Sequence, residues 1–334
     1  MKRNILARRA ASAALAACMM FSLSAPALAA STDALLQQST AAKSAVSVLD
    51  EENGMMEEEP AYQMNLKNGS IRVYIGEDGK QYAKQGNNEA QQRGNLWITT
   101  DGSPTNKTLT IEGGTTGAKV TLSNVNIDAS GAAVSVSGNV ELIIAGTNTN
   151  TLRSGPKHAG VEKADDNGTL TISGFGTLNA YGGESGAGIG GGGFGGNATV
   201  IITGDAVIEE ATGGGACAGI GSGYYDAKTD ITISGNAEVK NAQGGAQGAG
   251  IGGGGFRGTG TVTITDNAKV DNATGGEGAA GIGSGLVGNV TVNISGNATV
   301  NAEGGANGAG IGGGYASAGD VTIEGGTTVS AGGG

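Results

Sequence analysis

From Ala180 to its C-terminus the chain repeats one pattern five times. Each copy holds an Ala/Gly-Gly-Ile-Gly tetrapeptide, with the isoleucine at Ile189, Ile220, Ile251, Ile282 and Ile311, spaced 31, 31, 31 and 29 residues apart. A second apolar stroke ends at Ile202, Ile233, Ile264, Ile294 and Ile323, and a third falls six residues later at Ile208, Val239, Val270, Val300 and Val329. Three short strokes per period, kept in step over five periods, require a supersecondary unit that buries its apolar side only against its neighbours. That is the signature of stacked coils.

The residue types sharpen the expectation. In Thr261-Val262-Thr263-Ile264-Thr265, strand alternation directs Val262 and Ile264 inward and the threonines outward. The turn that follows places Asp205, Asn236, Asn267 and Asn297 at equivalent sites. Asn and Asp tolerate left-handed backbone, and coils stacked about 4.8 Å apart bring their side chains within bonding range as a ladder. A single large residue between glycines, Gly-Ala-Gly-Ile-Gly, suits a corner where backbone meets backbone. The predicted fold is all-β, a right-handed parallel β-helix with one coil per repeat of about 31 residues. A solenoid of shorter coils, two per repeat, is the alternative.

The rest of the chain divides by character. Lys2, Arg3, Arg8 and Arg9 precede a short apolar run, Ala10 to Phe21, and Ala27-Leu28-Ala29 supplies a cleavage pattern, so residues 1–29 read as a secretory signal. Leu15-Ala16-Ala17-Cys18 also resembles a lipobox, a rival reading in which Cys18 carries a lipid. Residues 30–60 read as an acidic linker ending in Glu57-Glu58-Glu59. In 61–105, Ile71 to Ile75 alternates, Glu77-Asp78-Gly79 is a hairpin turn and the only tryptophan is Trp97, which together suggest an N-terminal β cap. Residues 106–180 form irregular coils and 181–334 the regular array, which stops inside a repeat as a truncated chain would.

Charge and sulfur narrow the partners. Signal removal leaves 15 basic against 30 acidic residues, a surface that repels nucleic acid and anionic membrane. No membrane insertion is expected after cleavage. Cys217 is then the single cysteine, so no internal disulfide can form, and it fills a slot held by Gly248 and Gly308 in sister repeats.

The chemical motifs are sparse. Gly186-Ala-Gly188-Ile-Gly190-Gly191 fits a dinucleotide fingerprint, but it recurs at the repeat period with no helix after it. Glu184, Asp205, Glu277, Glu303 and Asp320 leave room for Ca²⁺ between coils, although they occupy no common repeat position and read better as solvated turn carboxylates. His158 is the only histidine, and the Lys163, Asp165, Asp166 cluster reads as a solvated turn, so no catalytic set is expected. The aromatics are more telling. Phe194, Tyr225 and Phe256 lie five residues after the anchor isoleucine, and Tyr224 and Tyr315 lie four after it. Stacking would align them as a stripe whose faces suit the C–H faces of sugar rings, or else as an internal stack sealing the corner.

Leu109-Thr-Ile-Glu-Gly-Gly, Val120 to Ile127, Glu141 to Leu152, His158-Ala-Gly-Val-Glu-Lys163 and Gly168 to Leu178 occur in an order that resembles the bacterial secreted carbohydrate-binding β-helix domain family. The Gly-Ala-Gly-Ile-Gly-Gly-Gly units resemble tandem continuations in large surface proteins of Gram-positive gut bacteria. The resemblance covers about residues 65–334. It implies a pectate-lyase-like solenoid that binds plant-type or acidic polysaccharide without cleaving it, as a monomer or part of a larger surface protein, with Ca²⁺ as a candidate aid. The expected function is therefore an extracellular adhesive binder. A structural stalk is the first alternative and a polysaccharide lyase the second.

Overall fold

Val262 and Ile264 are fully buried, and Thr261, Thr263 and Thr265 beside them are half-exposed. The alternation thus sets which side of the strand faces the core. The computed structural model describes residues 62–193, 196–225 and 227–334. The expected signal 1–29 with Cys18, the expected linker 30–60 and Phe194 lie outside the described residues. Among the described residues the only helical element is a single 3-10 turn, Leu66–Asn68.

Three sheets are built by successive coils. The first runs through ten strands from Tyr62–Asn65 and Leu96–Thr99 to Val287–Ile294 and Val321–Ile323, its spatial order following the sequence, and every pair in it is parallel. The second starts at Asn126–Asp128 and ends at Thr328–Gly332. The third carries the anchor isoleucines as short Ile-Gly strands, from Ile189–Gly190 to Ile311–Gly312. From Asn126 on each turn of the chain visits all three sheets, and the molecule is a parallel β-helix of about nine turns, with one coil per repeat. The alternative with two coils per repeat does not occur.

Register columns carry the packing. In the third sheet Ile71, Leu109, Val134, Val161, Ile189, Ile220, Ile251, Ile282 and Ile311 pair in one unbroken line. In the first, Leu142, Ile172, Ile202, Ile233, Ile264 and Ile294 do the same. Apolar surface removed from water along such columns stabilises by roughly 25 cal/mol per Å². One column position is polar. Asn150, opposite Leu178, is fully buried, yet its amide donates to the carbonyls of Ala145 and Thr177 and accepts from the Val125 N–H. A buried amide with all these partners costs little.

The spacing of 29 before Ile311 has a structural cause. Phe256 pairs with Val287, 31 residues on, but Gly258 pairs with Gly288, 30 on. A second slip between Val270 and Ala273 brings Ala273 opposite Ala302, 29 on. Two one-residue irregularities remove two residues from the coil while Ile282 still meets Ile311.

The expected side-chain ladder is present. Asn236 Nδ2 donates to Asp205 Oδ1 at 2.9 Å, Asn267 to Asn236 at 3.1 Å and Asn297 to Asn267 at 3.2 Å. Near the N-terminus, the hairpin Ile71–Ile75 with Gln81–Gln85 is antiparallel, and Ile71–Ile75 also pairs in parallel with Leu109–Glu112. The segment therefore already lies in register with the later coils.

Candidate functional site

The corner between the third and first sheets is where the coils differ most. Gly190, Gly221, Gly252 and Gly283 follow the anchor isoleucines at φ between +129° and +145°. A Cβ on any of them would lie about 2 Å from the next coil's glycine carbonyl oxygen. Only glycine fits there, which fixes the backbone and leaves the loop beyond it to vary.

Tyr224 and Tyr225 occupy that loop after Gly221, and Phe256 opens the strand Phe256–Ile264 one coil on. Tyr225 bridges to Phe256, and Phe256 pairs with Val287. The three rings form a cluster, with Tyr224 5.5 Å from Phe256 edge-on and Tyr225 6.3 Å from it at a tilt. Arg257, at φ +58°, sets its guanidinium 5.7 Å from the Tyr225 ring. Tyr225 is 38% exposed, and Tyr224 and Phe256 are half-buried.

The predicted stripe is thus only partly assembled. Tyr315 is 70% exposed, and the coil carrying Leu286 and Val287 lies between it and Phe256. Its N–H donates to the Gly278 carbonyl. Phe175, 72% exposed on the turn joining the first and second sheets, is an aromatic that the repeat phase did not single out.

The same corner continues toward the N-terminus. Gly223 and Tyr224 donate to the Gly196 and Gly193 carbonyls of the coil before. Gly192 and Gly196 in turn border a cavity of about 230 Å³, lined also by His158, Glu162, Asp166 and Asn197. His158 Nδ1 lies 2.9 Å from Glu162 Oε2, which also accepts from the Ala159 N–H. Beyond it lies an open groove of about 570 Å³ between Tyr74 and Asn139.

Lys163 departs from expectation. It is not solvated, for its side chain is 1% exposed. The ammonium bonds the Asp165 carboxylate and the carbonyls of Asp165 (3.0 Å) and Asn167 (2.6 Å). A buried charge persists only with such a full set of partners. The pair pins the turn, because Asp165 also accepts from the Gly138 N–H of the preceding coil.

Other ionisable groups are placed structurally. Arg153 lies 3.6 Å over the Tyr181 ring, whose hydroxyl donates to Glu210 Oε2 at 2.5 Å. Burial and that bond push the Tyr181 hydroxyl above its usual range. Lys240 and Lys269 pair with Glu209 and Glu238 one coil back. Cys217 is fully buried, and desolvation pushes its thiol up to about 12. Of the carboxylates considered for Ca²⁺, Asp205 accepts from Asn236 in the ladder. Among the described residues no three His, Cys, Asp or Glu side chains gather as a metal site would require.

A family model described as Beta helix repeat matches residues 170–193, 231–255, 260–286 and 292–315. The chain carries β-helix repeats. No curated protein and no solved structure matches it. The matched stretches include Gly190, Gly252 and Gly283 of the glycine corner and, among the aromatic candidates, Tyr315, whereas Tyr224, Tyr225 and Phe256 lie between them.

Sequence reasoning missed Arg72, Tyr74, Glu112 and Asn139 at the groove. Their coils depart from 31 residues in both directions, Ile71 pairing with Leu109 38 on and Val120 with Leu142 only 22 on, so the array's phase does not reach them. The signal that finds them is the third-sheet column, which aligns Ile71 with Leu109 and Val134.

Proposed function

We propose that the protein is an extracellular, non-catalytic polysaccharide-binding or adhesive solenoid, secreted by a bacterium or displayed on its surface. The observation that carries this reading is the ring cluster of Tyr224, Tyr225 and Phe256, partly exposed on one corner beside Arg257. Aromatic faces next to polar donors suit sugar rings, which offer C–H faces and hydroxyl edges together. The coil rise of about 4.8 Å is close to the length of one sugar ring, so a polymer lying along the corner meets successive coils in step. Weak contacts then sum along the polymer. The resemblance to carbohydrate-binding β-helix domains points the same way, toward plant-type or acidic glycans. The basic side chains favour a role without cleavage, because Lys163, Lys240, Lys269 and Arg153 each already serve the fold. Fold likeness to lyases alone carries no activity.

A stalk is the second reading, and one observation favours it. Tyr224 meets Phe256 at 73°, so these rings pack on each other rather than forming one flat platform.

Affinity electrophoresis separates the two. Gels containing cellulose derivatives, xylan, pectate or mucin, with and without EDTA, should retard the wild type in at least one polymer. The double variant Tyr225→Ala/Tyr315→Ala should be retarded less than the wild type, with unchanged unfolding. Free migration of the wild type through every gel favours the stalk, unsaturated uronate absorbing in the ultraviolet would reinstate the lyase, and loss of retardation in EDTA would make Ca²⁺ part of the site.

A further inference from the structure

The groove at the N-terminal end of the same corner is built differently from the aromatic cluster. One wall comes from Ile71–Ile75 and Leu109–Glu112, which place Tyr74 opposite Glu112. Arg72 Nε and Nη2 donate to the two Glu112 oxygens at 2.8 and 2.6 Å, and the guanidinium lies 4.9 Å over the Tyr74 ring. Tyr74 stacks on Tyr82 at 5.8 Å. The other wall is Asn139, Asp165 and Asn167.

The floor is a column of glycines. Gly114, Gly138 and Gly168 have φ of +56°, +67° and +69°. A Cβ on Gly138 would lie 2.5 Å from Gly114 backbone atoms, and one on Gly168 would lie 2.4 Å from the Gly138 carbonyl carbon. Gly138 and Gly168 leave no room for a side chain, and at Gly114 the space is open but the left-handed backbone disfavours one. It crosses four coils, from the Ile71 strand to the Val161 strand, or about 14 Å at one coil rise per step.

Its charges are already spoken for. Arg72 is held by Glu112, and Asp165 is held by Lys163 from beneath. No lining cation is left over to receive a carboxylate, sulfate or phosphate, and the chain as a whole is at −11. What the walls do offer is a tyrosine face, the remaining guanidinium N–H groups, carboxylate lone pairs and amides. That set matches a ligand with C–H faces and many hydroxyls but no charge.

Building on the polysaccharide-binding reading above, we propose that this groove is a separate subsite for a neutral, hydroxyl-rich oligosaccharide about three rings long. The polymer the protein retains is then uncharged, and the aromatic cluster further along the corner adds avidity to it.

The test is calorimetry of the secreted chain with cellohexaose, xylohexaose and hexagalacturonate in EDTA, beside the gels described above. Thr115, exposed on the rim, allows Thr115→Trp to fill the trench without touching the core. Tyr74→Ala removes the ring face. A neutral hexaose should bind the wild type, with Kd raised at least about tenfold in both variants. Tyr225→Ala should weaken polymer retention, and Phe175→Ala, on the turn between the first and second sheets, should change neither retention nor the hexaose Kd. Polymer retention with no hexaose binding, or hexaose binding indifferent to Thr115→Trp, overturns the subsite while leaving the general binding function standing. Tighter binding of hexagalacturonate than of either neutral sugar overturns the charge argument. A wild type that is retained by no polymer and binds no hexaose removes both.

Discussion

Gly252→Ala tests the glycine corner directly. Gly252 sits at φ +136°, and a Cβ there would lie 2.0 Å from the Gly283 carbonyl oxygen of the next coil. Ordinary C···O contacts are about 3.3 Å, so the coils must part locally by more than 1 Å. That oxygen accepts the Gly253 N–H at 2.8 Å. Orphaning the buried donor costs about 1–3 kcal/mol, and a Cβ in that backbone region adds about 1–3 kcal/mol of strain, for a total of about 2–6 kcal/mol. Gly79→Ala is the control. Gly79 also has positive φ, +75°, but nothing lies within 4 Å of its Cβ position, so only strain of about 1–2 kcal/mol remains. Urea unfolding followed by circular dichroism gives the two costs, and hydrogen exchange of peptides spanning 245–260 and 276–290 locates the damage, since stacked coils lose protection first where an interface fails. Equal costs for the two variants, or loss of protection spread evenly along the chain, would refute the carbonyl-contact argument.

Three further outcomes follow from the same structure. Asn236→Asp sets a second carboxylate against Asp205 in the ladder; the variant should be less stable by about 1 kcal/mol at low ionic strength and recover part of that loss as salt is raised, as thermal melts would show. Lys163→Met leaves Asp165 without its buried cation and should cost about 2 kcal/mol or more in urea titrations, discounted because Asp165 is itself 31% exposed. Cys217, with a folded value near 12 against an ordinary 9.0, remains protonated in the native state; its contribution is complete below pH 9 and declines as pH rises from there toward 12, by about 1.4 kcal/mol per unit. Native protein should therefore resist iodoacetamide at pH 8.5 and react only after unfolding.

Most of the architecture was legible because a β-helix writes its geometry locally. Val262 and Ile264 declare their side by alternation, the anchor isoleucines declare the coil length, and Asp205 to Asn297 declare a turn that stacks. The coil count per repeat follows, since each period contains one stroke for each sheet. The candidate site was legible only in part. Equivalent offsets placed Tyr224, Tyr225 and Phe256 together, but the offset of Tyr315 is the same while its coil neighbour is Leu286, so phase alone could not show the gap. Lys163 looked like any lysine among acids. Its ammonium reaches Asp165 and Asn167 within its own turn, and that turn is pinned only when Gly138 of the preceding coil donates to Asp165. The groove was invisible because Arg72 and Glu112 are 40 residues apart across coils of unequal length.

The parallel register also makes the molecule a ruler with discrete marks. Because each 31-residue copy pairs only with the copy before and after it, duplication or loss of one whole copy leaves every other pairing intact. Such an event changes the distance between features on either side by one coil, about 4.8 Å, and leaves their bearing around the axis unaltered. A loss of one or two residues is absorbed locally, as in the 29-residue coil before Ile311, whereas half a copy would turn all later side chains away from the corner they share. Recombination between near-identical segments therefore has a graded and tolerated outcome only in whole units. The reach of the corner can lengthen or shorten across generations while its chemistry stays facing the same way.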